Sequence, residues 1–154
     1  MKKTILLAFV LLLIGSTTAF SQQYRHAVGL KLGYDFALTY KMNLSEANSI
    51  DLGVNLHPWG TFGLNVYGYY NWQWAINQVP GLSWYVGPGA HIGFFSNAFY
   101  LSINGQIGLE YKFQNIPLAL SIDWGPGVGF VMAKETFGVG FAGYYGGLGV
   151  KYTF

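Results

Sequence analysis

The chain of 154 residues is long enough for one domain; 9% of its residues are charged, 19% are aromatic and none is cysteine. Ordinary soluble domains are about 25% charged, so the composition argues against an outer surface wetted by water. The lack of cysteine excludes disulfides, thiolate metal centres and a lipid-modified N-terminal cysteine.

In chain order, the first element is an export signal. Lys2 and Lys3 form a positive head, Ile5 to Ile14 an uninterrupted apolar run, and Gly15 to Ser21 a small-residue stretch. Ala19 and Ser21 fit positions −3 and −1, which predicts a signal peptide over 1–21 and a mature domain over 22–154; cleavage after Ala19 is the alternative. The ten-residue apolar run is too short for a spanning helix, which needs about 20. Without Lys2 and Lys3 the remaining chain carries six basic and six acidic side chains. The formal +2 therefore gives no reason to expect a nucleic-acid partner.

Alternation of apolar with small or polar residues then recurs along the mature chain, the pattern of strands with two unlike faces. Val28, Leu30 and Leu32 alternate with Gly29, Lys31 and Gly33, and a turn at Tyr34–Asp35 leads to Phe36, Leu38, Tyr40 and Met42. Ser45 to Asn48 is a polar turn. Ile50 to Leu56 is a strand ended by the breaker His57-Pro58-Trp59-Gly60, where His57 reads as a loop residue. Phe62 to Trp74 and Leu82 to Phe94 follow, with Pro88 predicting a bulge or irregular pairing. The cleanest alternation is Phe99 to Phe113, followed by Leu118 to Trp124. Residues 127 to 140 read as the longest connection, and Tyr144 to Phe154 as the closing strand.

Counted with the split at Tyr34–Asp35, these elements predict an all-β fold: an eight-stranded antiparallel transmembrane β-barrel of up-and-down topology. An even strand number suits a single-chain bacterial barrel. The orientation of its faces follows from the charges. Lys31, Asp51, Glu110, Asp123 and Lys151 all fall on the polar face, whereas the opposite face is hydrocarbon. A closed barrel pairs every backbone polar group where no water is available. A soluble lipid carrier would show the reverse, with a greasy interior. The five charges are therefore expected to meet as a lumen polar network. Trp72, Trp74, Trp84, Tyr111, Phe113, Tyr152 and Phe154 gather at one rim of the apolar face, as a periplasmic aromatic girdle would. Pairing of 113 with 118 would set Glu110 opposite Ser121 and Asp123 opposite Gly108.

The closing strand ends on Phe154, and in this it resembles the C-terminal signal that the assembly machinery of bacterial outer-membrane barrels reads. From Gly29 to Phe154 the chain resembles small eight-stranded outer-membrane barrels of the OmpA/OmpX-like class. The resemblance is carried by L-T-Y-K (38–41), G-L-S-W-Y-V-G-P-G-A-H-I-G-F-F (81–95), I-G-L-E-Y-K-F-Q-N-I-P-L-A-L-S-I-D-W (107–124) and G-V-K-Y-T-F (149–154). It implies a monomeric, porin-like integral protein of the Gram-negative outer membrane. Its partners would be membrane lipid and, through Phe154, the barrel-assembly machinery. No cofactor, metal site or catalytic residue is implied.

The function expected is non-enzymatic, a structural or surface role with a lumen filled by side chains. A narrow channel for a small or amphipathic solute is one alternative, and a lipid-modifying enzyme another. The enzyme would need His91 beside Ser83 or Ser102, the interior His–Ser combinations the alternation permits. The glycines around 125–143 do not lie between a parallel strand and a helix, so they do not read as a phosphate loop.

Overall fold

A computed structural model describes residues 24–60, 62–143 and 145–154. The expected signal peptide and Tyr144 lie outside the described residues. Ten strands occur among the described residues: β1 (His26–Gly33), β2 (Phe36–Asn43), β3 (Asn48–His57), β4 (Gly63–Ala75), β5 (Leu82–Phe95), β6 (Ala98–Lys112), β7 (Leu118–Gly125), β8 (Gly127–Ala133), β9 (Thr136–Phe141) and β10 (Tyr145–Thr153). Among the described residues there is no helix.

Eight of these strands close a barrel. The order runs β5-β4-β3-β2-β1-β10-β7-β6, and β6 pairs back onto β5. Every pairing is antiparallel. The seam between β1 and β10 sets Ala27 opposite Thr153 and Gly33 opposite Gly147. It is completed by backbone hydrogen bonds exchanged between His26 and Phe154, at 2.9 and 2.8 Å. The mouth that holds the turns 44–47, 76–81 and 113–117 also holds Phe154 and is called proximal here.

The predicted boundaries hold within a few residues because the alternation is strong where both faces are specified. The split at Tyr34–Asp35 is present, and Glu110 faces Ser121 while Asp123 faces Gly108. Pro88 interrupts the β4–β5 ladder but does not bulge it. Tyr69 opposite Gly89 and Trp72 opposite Val86 belong to one register, and Pro88 remains paired with Gly105 on its other side.

Two expectations are corrected. The stretch 127–140 is not a plain connection: it contains the hairpin β8–β9, which pairs with the distal half of β6, Phe99 to Asn104. β7 occupies the proximal half of the same edge, and Pro126 separates the two. His57 is the last residue of β3 and is buried, not a loop residue.

The two faces of the wall differ as sharply as the sequence. Leu30, Leu38, Val66, Ile103, Ile122, Leu148 and Val150 all point outward and are exposed. Lys41, Asp51, Tyr85, His91, Gln106, Glu110 and Lys151 point inward and are at most 2% exposed. Burying ions within a shell of hydrocarbon inverts the arrangement of a water-soluble core.

Candidate functional site

The lumen holds the chemically distinctive residues, and glycine makes room for them. A barrel of eight strands is just wide enough to be filled by side chains, so a long residue on one strand needs a small one beside it. Gly29 stands opposite Lys151 and Gly149 opposite Lys31. Gly53 lies against the ring of Tyr67 and Gly89 against that of Tyr69. A Cβ on Gly108 would come within 2.5 Å of the Tyr85 ring.

Around these gaps the five charges of the expected network come together. Lys31 Nζ lies 2.8 Å from Asp123 Oδ2, and Lys151 Nζ lies 3.1 Å from Glu110 Oε2 and 3.9 Å from Asp51 Oδ2. A sixth member was missed. Lys41 Nζ, 2.8 Å from Glu110 Oε1, completes a set of three cations and three anions. It occupies the polar face two residues from the end of β2, so alternation alone could have placed it. Hydroxyls satisfy further carboxylate lone pairs. Thr39 donates to Asp51 at 3.0 Å, Tyr85 to Asp123 at 2.8 Å, and Tyr24 reaches Glu110 from the proximal mouth. The Lys41 ammonium also lies 5.1 Å from the Tyr85 ring centroid, within cation–π range. Unpaired charges in such a place would be strongly destabilising; these are paired.

The distal half of the lumen is aromatic. The His91 ring stacks on Tyr145 at 3.6 Å and on Tyr67 at 5.2 Å. Its Nε2 is 2.6 Å from the Tyr69 hydroxyl, and its Nδ1 is 3.1 Å from Asn65 Oδ1. Ser102 faces His91 across the ladder, but its hydroxyl donates to Asn104 at 2.6 Å; Ser83 donates to the Glu110 carbonyl. Neither serine is therefore engaged by the imidazole as a nucleophile would be. Further out, His57 Nδ1 lies 2.7 Å from Asp35 Oδ1 and its ring stacks on Tyr34. Burial raises the Asp35 carboxyl above its usual range, and the bond to His57 opposes part of that shift. Between the ionic and aromatic halves, Lys31, Tyr67, His91, Gln106, Asp123 and Tyr145 help enclose about 20 Å³, space for about one water molecule.

The girdle residues all lie on the outer face toward the proximal mouth. Trp74 stacks on Trp84 at 4.5 Å, Tyr111 meets Phe113 edge-on at 5.0 Å, and Tyr152 lies 6.3 Å from Phe154. Trp72 packs edge-on against Tyr70. No group of three or more metal-ligating side chains occurs among the described residues.

Comparison of the chain with protein-family models, with curated proteins and with solved structures finds no match.

Proposed function

We propose that this protein is an integral barrel of the bacterial outer membrane, exported by its N-terminal signal and acting as a non-enzymatic structural or surface component. The observation that carries the reading is the inversion of the wall. Leucine, valine, isoleucine and aromatic side chains clothe the outside, while three lysines and three carboxylates are sealed within. A lipid solvent rewards that distribution and penalises its reverse. The ring of Trp, Tyr and Phe at the proximal rim suits a membrane–water interface. The resemblance to OmpA/OmpX-like barrels belongs to the same proposal, as does recognition of the strand ending at Phe154 by the assembly machinery.

A lumen crossed by ion pairs and stacked rings favours a structural role over conduction. The engagement of both His91 nitrogens by Tyr69 and Asn65 disfavours acyl transfer. Membrane fractionation combined with gel mobility before and after boiling tests the location; a heat-modifiable band in the outer-membrane fraction is expected. Purified protein in planar bilayers should give no steady conductance. Recovery of the mature chain as a dissolved periplasmic protein refutes the membrane reading, and steady ion currents refute the sealed lumen.

A further inference from the structure

The barrel wall has no edges, yet the ten-stranded sheet has one. Among the described residues β9 pairs with β8 alone and ends the strand order, so the backbone groups along its other side face no described strand. Such an edge is a template for another strand, and proteins usually blunt it with charge, proline or a covering loop. Thr136 to Phe141 contains neither charge nor proline. Its outward side chains, Phe137, Val139 and Phe141, are 58 to 66% exposed. Gly138 and Gly140 on the alternate face open onto empty space.

The sequence of this edge singles out its partner. Residues 137–141 read F-G-V-G-F, identical in both directions about Val139. Two copies laid antiparallel about that point set Val139 opposite Val139, Phe137 opposite Phe141 and Gly138 opposite Gly140. Every pair falls on matching faces, as antiparallel pairing requires. The aromatic pairs add cross-strand stabilisation, the glycines offer no side chain to splay the strands, and no like charges oppose each other. A surface complementary to itself about a two-fold axis makes a closed dimer.

We propose that β9 is a homodimerisation strand, joining two barrels edge to edge through Thr136–Phe141 in the register centred on Val139. This departs from the monomer expected from sequence and does not depend on which membrane holds the barrel. Opposed residues in an antiparallel pair have Cα atoms about 4.5–5.5 Å apart, within disulfide reach. The chain has no cysteine of its own, so linkage reports only on introduced thiols.

In detergent micelles and in native membranes, mild oxidation should convert Val139→Cys largely to a disulfide dimer. An equimolar mixture of Phe137→Cys and Phe141→Cys chains should link several-fold more than either chain alone. Ile122→Cys, on the outward face of β7, measures random collision. Native mass spectrometry of the unmodified protein should show a concentration-dependent dimer, and Val139→Pro should lose it while remaining a heat-modifiable barrel. Linkage of Val139→Cys no greater than that of Ile122→Cys overturns the proposal. So does a monomeric mass for the unmodified protein at every concentration, or linkage to a different protein in place of a second copy.

Discussion

Replacing Glu110 with leucine is the sharpest perturbation of the lumen. The carboxylate is completely buried and serves two ammonium groups, Lys41 at 2.8 Å and Lys151 at 3.1 Å. At an effective dielectric of about 20, a contact near 3 Å is worth roughly 5 kcal/mol of attraction, offset by the desolvation of both ions. The loss falls unevenly. Lys151 retains Asp51 at 3.9 Å, whereas Lys41 loses its one carboxylate at ion-pair distance and keeps only Asp51 across the β2–β3 ladder and the rings of Tyr24 and Tyr85. Stranding one buried charge typically costs about 3–5 kcal/mol, so Glu110→Leu should lower unfolding stability by that much. Adding Lys41→Met removes the orphaned charge and should restore the barrel to within about 1–2 kcal/mol of the parent. Urea unfolding in detergent or lipid vesicles, followed by tryptophan fluorescence and by the compact band on unboiled gels, measures both. Unchanged stability in Glu110→Leu, or a double variant no better than the single one, would refute the pairing argument.

Ile122→Lys places an ammonium on the outward face, and in lipid it should cost roughly 2–4 kcal/mol near the bilayer midplane. A water-wetted wall would accept it with little change, so vesicle refolding separates the two environments. Gly108→Ala drives a methyl into the Tyr85 ring and should cost about 1–3 kcal/mol by overpacking. Gly105→Ala enters open space and should stay within about 0.5 kcal/mol; similar losses in both would contradict the inward–outward assignment. Asp35, raised by burial, weakens the fold once ionised. This penalty is absent below the unfolded carboxyl's pKa and complete above the raised folded one, so acidification through that window should stabilise the native chain relative to Asp35→Asn. Parallel pH profiles of unfolding for the two proteins would exclude that role for Asp35.

Much of this was legible in the alternation of apolar and polar residues, because a one-residue register error would put every side chain on the wrong face. From Phe99 to Phe113 the two sets are unambiguous, and strand, face and register with 118–124 all follow. The signal fails where glycine replaces the polar set. In G-V-G-F-V-M-A and T-F-G-V-G-F the positions alternating with the apolar set are mostly glycine, and among them only Thr136 is polar, so β8 and β9 look like an irregular glycine-rich connection. Lys41 carried the right alternation but lay close to a turn. The bond between Asp35 and His57 continues the β2–β3 register, in which Phe36 faces Leu56, one pair past its end. It is invisible while Pro58 makes His57 look like part of a loop. Alternation gives the direction of Tyr67, Tyr69, Tyr85 and Tyr145 but not their partners, which depend on distances across the barrel; Tyr24, ahead of β1, shares the parity of the outward Val28 and Leu30 yet turns inward to Glu110.

The seam between β1 and β10 also dictates an order of events. All other wall contacts except those linking β7 to β10 join consecutive strands through short turns, and can form as local hairpins. Joining Ala27 to Thr153 must close a loop that takes in almost the whole domain. Chain entropy opposes that step most strongly. The first wall strand therefore waits, half-paired with β2, until the last one arrives, and zipping this join is expected to be the slow event of folding.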